Sequence, residues 1–245
     1  MRDYQKEYEN RVAFIRELVA QSGVKGIVFG NSGGKDSALV GILCKAACDN
    51  TVGVIMPCAS KRNFGSDMED GNALAEQFGI ETRTVDLTPI RETAEKVIGS
   101  VTSINDASLA NIAPRLRMTT LYTIAGSEGL LVAGTGNRSE AYMGYFTKWG
   151  DGAYDFNPIA DLTATEVIEF LKYLDAPVSI RTKAPSAGLF EGQTDEQEMG
   201  VTYAAIDRYI LTGVATEEDR AIIDRFHRRS EHKRRPAAVY TEPEA

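Results

Sequence analysis

The sequence contains few of the residues that most often build metal and thiol sites. Its 245 residues include two histidines, three cysteines and one tryptophan. His227 and His232 lie near the far end of the chain from Cys44, Cys48 and Cys58, which disfavours a zinc site. We interpret the three cysteines as small core residues, and their odd number as a sign of reduced thiols in the cytoplasm.

Other signals are missing too. No apolar run reaches the ~18–20 residues of a membrane span, and the charged N-terminus, MRDYQKEYENR, has no signal-peptide core. The 27 Lys and Arg residues against 35 Asp and Glu give a net charge of −8, which opposes general binding to nucleic acid or to an anionic membrane. No repeat, low-complexity tract or linker divides the chain, so residues 1–245 are expected to form one domain.

Short apolar segments alternate with amphipathic ones along the chain. The short segments predict strands at 26–30, 51–56, 82–87 and 130–133. The amphipathic segments predict helices at 3–22, 37–48, 66–78, from 88, at 105–127, from 163, from 194 and at 217–231. Capping boxes are predicted at Ser66, Thr163 and Thr194. The helix over 105–127 is predicted to break at Pro114 and restart, with Pro114 in the new first turn. Residues 134–161 are predicted to be loops that carry function.

This alternation predicts an α/β fold, a doubly wound, mostly parallel sheet with helices on both faces. Such sheets bind ligands beyond the carboxyl ends of the strands, where the strand order reverses. The loops 30–36 and 134–140 follow the first and fourth predicted strands. We therefore expect these two loops to meet at one site.

The loop after the first strand has the composition of an anion-binding loop. Gly33 and Gly34 let the backbone turn tightly, and the amides that open the next helix would face an anion. The alternative is an ordinary glycine-rich turn. A Walker A loop is excluded because Asp36, rather than Ser or Thr, follows the lysine. Asp36 would repel phosphate unless a cation intervened, so we expect it to hold Mg²⁺.

Residues 32–37 resemble the SGGxDS loop of the N-type ATP pyrophosphatases, which cleave ATP between its α and β phosphates. Five later segments resemble NAD synthetases and follow the family order: 115–118 (RLRM), 134–140 (GTGNRSE), 144–152 (GYFTKWGDG), 185–196 (PSAGLFEGQTDE) and 232–234 (HKR). The resemblance covers roughly residues 10 to 240. On these motifs the sequence is identified as a member of the ammonia-dependent NAD synthetases.

The resemblance implies an adenine nucleotide alpha-hydrolase-like, Rossmann-like fold. It also implies amidation of deamido-NAD by ATP and ammonia, through an adenylated carboxylate, with release of AMP and pyrophosphate. Asp36 and Glu140 would be the catalytic carboxylates that hold Mg²⁺. ATP would contact Gly30, Asn31, Ser32, Gly33, Gly34, Lys35, Asp36, Ser37, Thr135 and Ser186. Deamido-NAD would contact Arg115, Lys148, Asp155, His232 and Lys233.

Two positions depart from the family pattern. Position 164 is usually lysine and position 35 is commonly neutral, whereas this chain has Ala164 and Lys35. Either Lys35 compensates for the missing cation at the ATP site, or it points to solvent. The basic stretch 228–235 is also typical of a solvated helix end.

The resemblance further implies a homodimer and leaves no room for a separate amidase domain, although a partner glutaminase subunit stays open. The aromatic residues of the first helix suit a dimer interface, and packing on the chain's own sheet explains them equally well. The sequence is less consistent with three other functions. Scattered cysteines oppose a tRNA-thiolating enzyme, and the 144–152 segment opposes a GMP synthetase core. The paired Asp36 and Glu140 oppose a non-catalytic nucleotide-binding module.

Overall fold

A parallel sheet forms the centre of the molecule. The structure, a computed structural model, describes residues 2–183 and 194–242. Across those residues the sheet consists of β1 (Gly26–Gly30), β2 (Thr51–Ile55), β3 (Glu81–Thr84) and β4 (Leu130–Ala133). All pairings are parallel, and the spatial order is β3-β2-β1-β4. The chain thus steps outward from β1 to β3 and then returns to β4 on the other side of β1. The strand order reverses between β1 and β4, as the sequence predicted.

Helices cover the sheet and extend beyond its carboxyl edge. In chain order, the described residues form α1 (Tyr4–Ser22), α2 (Lys35–Ala47), α3 (Lys61–Phe64), α4 (Ser66–Phe78), α5 (Thr88–Gly99), α6 (Asp106–Ala110), α7 (Ile112–Glu128), α8 (Arg138–Met143), α9 (Ala164–Tyr173), α10 (Val178–Thr182), α11 (Asp195–Met199), α12 (Tyr203–Thr212), α13 (Glu217–Arg229) and α14 (Glu231–Arg234). None of them offers an apolar stretch that would span a bilayer.

Side-chain alternation along β1 explains the two faces of the sheet. Ile27 and Phe29 point into a core built mainly from α1, α2 and α9, while Val28 points into a core shared with α7. A third apolar cluster, which includes Met143, Ile206 and Ile223, joins α8 to α12 and α13. Helices on both faces of a parallel sheet confirm the predicted fold class.

Two of the three predicted capping boxes are confirmed. Thr163 and Thr194 both form capping boxes. The capping box at Ser66 is wrong, because α3 ends at Phe64 and only Gly65 separates it from α4. Gly65 takes the N-cap position, so Ser66 is already a helical residue and its hydroxyl makes no cap hydrogen bond.

Three boundaries differ from the prediction. The helix predicted over 105–127 is divided as expected, with Pro114 in the first turn of α7, where a proline needs no backbone donor; the break itself lies at Asn111, three residues before the proline. β3 ends at Thr84, three residues early, although the amide of Val85 still donates to Ile55. The region 134–161 contains α8, which is only six residues long and leaves little helical periodicity in the sequence.

Candidate active site

The loop between β1 and α2 turns most tightly at a glycine. Gly33 has φ +68°, and a Cβ there would lie 2.1 Å from the carbonyl oxygen of Asp67, so only glycine fits. Gly34 is the N-cap of α2 and provides no side-chain cap, which leaves the first helical amides available to a ligand. The Ser37 hydroxyl donates to the Gly34 carbonyl oxygen at 3.0 Å. This geometry suits an anion, and its assignment to ATP stays a prediction.

Asn137 joins the loop after β4 to the loop after β1. This asparagine is fully buried, and its Nδ2 donates to Oδ1 of Asp36 at 2.9 Å. Its Oδ1 accepts from the backbone amides of Ser139 and Glu140 at 2.9 and 3.0 Å. Its own amide donates to Oε2 of Glu140 at 3.1 Å, which completes a capping box at the start of α8. One buried residue therefore orients both carboxylates that the sequence predicted as metal ligands, Asp36 through its side-chain amide and Glu140 through its backbone amide.

Lys35 lies between the other two oxygens of these carboxylates. Its Nζ is 2.8 Å from Oδ2 of Asp36 and 3.9 Å from Oε1 of Glu140. The same Nζ lies 5.3 Å from the centre of the Tyr203 ring. Because Lys35 is only 8% exposed, the interpretation that it points to solvent is wrong. Ala164 is buried in the apolar cluster that contains Tyr203.

Burial and charge act in opposite directions on this group. Burial lowers the pKa of Lys35, but the charges of Asp36 and Glu140 outweigh that effect and the net pKa is raised. Burial raises the pKa of Glu140, and the negative charge of Asp36 adds to that shift while Lys35 opposes it. Lys35 therefore carries a full positive charge at neutral pH. The charge of Lys35 favours the ionised form of Glu140, against the effects of burial and of Asp36.

A cavity of about 890 Å³ opens at this edge of the sheet. That volume lies within the range of small-molecule sites. Of the predicted site residues, those that line it are Gly30, Asn31, Ser32, Gly34, Lys35, Asp36, Ser37, Thr135, Glu140 and Lys233. The loops after β1 and β4 thus meet in one cavity, as the strand topology predicted. Ser186 lies outside the described residues.

Three more of the residues predicted to contact deamido-NAD, namely Arg115, Lys148 and His232, contact one another outside the lining of the cavity. Nη2 of Arg115 donates to the carbonyl oxygen of Lys148 at 3.3 Å. Nζ of Lys148 donates to the carbonyl oxygen of His232 at 2.7 Å. The structure brings the three residues together at an exposed surface, and their role in binding deamido-NAD stays a prediction.

Asp155 has structural partners in the sheet. Its Oδ2 accepts from the backbone amide of Val132 in β4 at 2.7 Å. Its Oδ1 accepts from the Tyr122 hydroxyl on α7 at 3.2 Å. Both oxygens of Asp155 therefore already have donors, and its contact with deamido-NAD also stays a prediction.

The basic C-terminal stretch binds backbone oxygens of the chain itself. Nζ of Lys233 donates to the carbonyl oxygens of Gly144 at 2.8 Å and Phe146 at 2.7 Å. Arg234 donates to carbonyl oxygens near the end of α8. Burial lowers the pKa of Lys233, an effect that Asp151 opposes. Lys233 therefore lines the cavity and holds the segment 144–146 at the same time.

Sequence reasoning gave no role to Lys183, which lines the same cavity. Its Nζ lies 2.6 Å from Oδ2 of Asp70 and 2.8 Å from Oδ1 of Asp67. It also lies 3.5 Å from the carbonyl oxygen of Gly33. Because these partners belong to distant segments, no short motif reveals the lysine. The role of Asn137 had a detectable signal, since Asn-x-x-Glu is the spacing of a capping box.

Arg117 adds positive charge to the cavity wall. Its Nε donates to the Met56 carbonyl oxygen at 3.1 Å, and its Nη2 donates to Oδ1 of Asn63 at 3.0 Å. Burial lowers the pKa of Arg117. Because these two acceptors are neutral, they do not offset the positive charge of Arg117, which can therefore attract an anionic ligand.

The donor set around Asp36 and Glu140 fits magnesium. Across the described residues, no group of three or more His, Cys, Asp or Glu side chains could hold a metal by itself. Mg²⁺ commonly uses one or two protein carboxylates and completes its shell with water and substrate phosphates. Two carboxylates beside a phosphate-type loop supply that arrangement.

Comparisons with known proteins identify the family. The family model for NAD synthase matches residues 7–237. A curated NH(3)-dependent NAD(+) synthetase from Carboxydothermus hydrogenoformans is 46% identical over 95% of this chain and 96% of its own length. The solved NMN synthetase from Francisella tularensis is 37% identical with a TM-score of 0.94, covering 99% of this chain and 100% of that one. The NH3-dependent NAD synthetase from Campylobacter jejuni is 29% identical with a TM-score of 0.79, covering 98% and 100%. The chain belongs to the NAD synthase family.

Proposed function

We propose that this chain is an ammonia-dependent NAD synthetase, which amidates deamido-NAD to NAD with ATP. The observation that carries the proposal is the meeting of the Gly33 loop, Asp36 and Glu140 in one cavity, in a chain of this family. The curated relative that is 46% identical bears the same activity in its name. A loop that binds anions beside paired carboxylates supports cleavage of ATP.

The chemistry follows from the charge of the substrate. A nicotinate carboxylate is anionic and resists attack by ammonia. Its oxygen attacks the α-phosphorus of ATP, so that an acyl adenylate forms and pyrophosphate leaves. Ammonia then attacks the acyl carbon, the amide forms and AMP leaves. No protein nucleophile is needed, and the chain contributes position and charge.

Each group of the chain has a task in this proposal. The amides of residues 30–37, with Thr135 and Ser186, would hold ATP. Asp36 and Glu140 would hold Mg²⁺, which would supply positive charge to offset the charge of the departing pyrophosphate. Deamido-NAD would lie against Arg115, Lys148, Asp155, His232 and Lys233.

The assay is NAD formation by the purified chain from deamido-NAD, Mg-ATP and ammonium, with pyrophosphate measured in parallel. We expect one pyrophosphate per NAD, and no turnover with glutamine once free ammonium is removed. Pyrophosphate release that does not depend on deamido-NAD would contradict the proposal.

A second candidate substrate is the mononucleotide acid whose amide is NMN. It is favoured by the TM-score of 0.94 against the NMN synthetase from Francisella tularensis. The higher identity, 46%, is to an NAD synthetase, so we place deamido-NAD first. The same assay with both acids decides the question, because the better substrate has the higher kcat/KM.

Lys233→Ala tests the dinucleotide side of the cavity. One charge-assisted contact is worth about 1.5–3 kcal/mol, so the KM for deamido-NAD should rise roughly 10- to 100-fold while the KM for ATP barely changes. Arg235→Ala is the control, since the side chain of Arg235 is 72% exposed and forms an ion pair with Glu231, four residues earlier. Equal losses for both substrates would assign Lys233 to holding residues 144–146, and no loss for either would end the binding hypothesis.

We also propose a cytoplasmic, single-domain homodimer without a nucleic-acid partner. Tyr4 of α1 packs on Phe170 with ring centres 5.0 Å apart, which supports the packing of α1 on its own chain. The face of α5 supports a dimer better, because α5 buries no residue and leaves Ile90 and Val97 more than half exposed. Light scattering should give twice the chain mass for the protein, and the monomer mass for Val97→Glu.

A further inference from the structure

Lys35 occupies the position in which a cation would bridge the two candidate metal carboxylates. Each carboxylate has one oxygen fixed by Asn137: Oδ1 of Asp36 accepts from its side chain and Oε2 of Glu140 from its backbone amide. The remaining oxygens, Oδ2 of Asp36 and Oε1 of Glu140, lie 2.8 and 3.9 Å from Nζ of Lys35. The ammonium therefore faces the oxygens that a metal ion would need.

The ammonium and a metal ion exclude each other from this position. Mg²⁺ binds oxygen at about 2.0–2.1 Å, and two cations facing the same oxygen pair would repel strongly in a buried site. Lys35 is on the first turn of α2, and its side chain lines the cavity together with the loop 30–37. Displaced from the carboxylates, the ammonium would remain in the cavity in which that loop would hold phosphates.

We propose that Lys35 is a tethered cation that holds Asp36 and Glu140 together until magnesium arrives, and that it then moves onto the triphosphate of ATP. The lysine thus has two successive anionic partners. In the ATP-free protein it offsets the repulsion between the carboxylates, and in the loaded protein it offsets phosphate charge. It also lowers the affinity of the empty site for magnesium, so metal and nucleotide bind best together.

An ordinary structural ion pair does not account for the arrangement equally well. An ordinary ion pair needs one carboxylate, and among the described side chains Nζ donates a hydrogen bond to Asp36. Instead Nζ is directed at two carboxylates from separate loops and at the Tyr203 ring. Because Lys35 is only 8% exposed, water screens its attraction to the two carboxylates weakly.

The experiment compares magnesium and ATP binding in Lys35→Met and in the unsubstituted protein. Isothermal titration with Mg²⁺ alone, in the absence of nucleotide, should show at least roughly tenfold tighter binding by Lys35→Met. Titration with ATP in saturating Mg²⁺ should show roughly 10- to 100-fold weaker binding, the range for one charge-assisted contact. If Lys35 had only a structural role, Lys35→Met would weaken the binding of both Mg²⁺ and ATP. Tighter binding of Mg²⁺ together with weaker binding of ATP is therefore the distinguishing result.

Thermal unfolding gives a readout that needs no ligand affinity. In EDTA, Lys35→Met should melt below the unsubstituted protein, and Mg²⁺ should restore most of the difference. If Lys35→Met folds poorly, Lys35→Gln replaces it in these measurements, because glutamine keeps a polar end without the charge. The same results are expected for that variant. Lys45→Gln is the matched control on α2, because Lys45 lies outside the cavity lining and pairs with exposed Asp49. It should change neither titration.

The inference rests on the magnesium assignment of the proposed function but not on which acid is amidated. Tighter magnesium binding by Lys35→Met would support it even if deamido-NAD proved to be the wrong substrate. Equal magnesium affinities, weaker magnesium binding in the variant, or no binding to either protein would overturn it. Unchanged ATP affinity would overturn the movement of the ammonium onto phosphate.

Discussion

Replacing Asn137 with aspartate should destabilise the protein in a way that depends steeply on pH. Asn137→Asp keeps the shape of the side chain and keeps an oxygen that can cap α8, since aspartate and asparagine are equally good N-caps. It changes one contact, because the Nδ2 donor that lies 2.9 Å from Oδ1 of Asp36 becomes an oxygen. If both groups stayed charged, the repulsion at 2.9 Å would be about 6 kcal/mol at an effective dielectric constant of ~20.

Protonation of the introduced carboxyl group sets an upper limit on that cost. When the introduced carboxyl group is neutral, it can donate its own proton to Asp36 and so replace the lost amide donor. Holding that proton at pH 7 costs about 4 kcal/mol, because an unfolded aspartate has a pKa of about 3.9 and each pH unit is worth about 1.4 kcal/mol. The folded pKa is raised above the unfolded one, so the penalty is absent near pH 4 and grows as the pH rises. At pH 5 it should be about 1.5 kcal/mol.

Urea denaturation in EDTA between pH 5 and pH 8 measures this difference. The variant and the unsubstituted protein are compared at each pH. Asn105→Asp is the matched control, because Asn105 caps α6 in the same way but is exposed. Its stability should change by less than about 0.5 kcal/mol at any pH. A penalty for Asn137→Asp that is flat with pH, or absent at pH 8, would refute the interpretation that Asn137 holds Asp36.

Two further predictions concern the loop after β1. Gly33→Ala should abolish ATP binding, because the added Cβ would lie 2.1 Å from the backbone oxygen of Asp67. Gly213 also has a positive φ, +73°, but has open space around it. Gly213→Ala is therefore the control, and it should lower the free energy of unfolding by only about 1–2 kcal/mol. Lys183→Met should destabilise the protein by about 1–3 kcal/mol, because it strips the ion-pair partner from Asp70. Addition of Asp70→Asn should then cost less than it does alone, and full additivity in that double-mutant cycle would contradict the pairing.

The strand pattern and the glycine-rich loop were sufficient to predict the fold and the place of the site. Apolar segments at 26–30 and 130–133 predict parallel strands, and right-handed crossovers leave few ways to arrange them. The meeting of residues 30–36 with Glu140 therefore followed from topology alone. Local chemistry also predicted the helix starts at Thr163 and Thr194, because a capping box involves residues only three apart.

Only the tertiary structure decided what each charged side chain contacts. From the sequence, Lys35 could contact ATP or point to solvent. Its contacts with Glu140 and Tyr203 could not be predicted, because both residues are distant from it in the chain. Asn137 and Asp36 lie 101 positions apart, so their contact leaves no local pattern. The ammonium of Lys233 donates to backbone carbonyl oxygens. Because every residue has such an oxygen, no sequence motif predicts which ones it contacts. Local periodicity determines elements and their order, whereas the partner of a buried charge depends on which loops the folded sheet brings together.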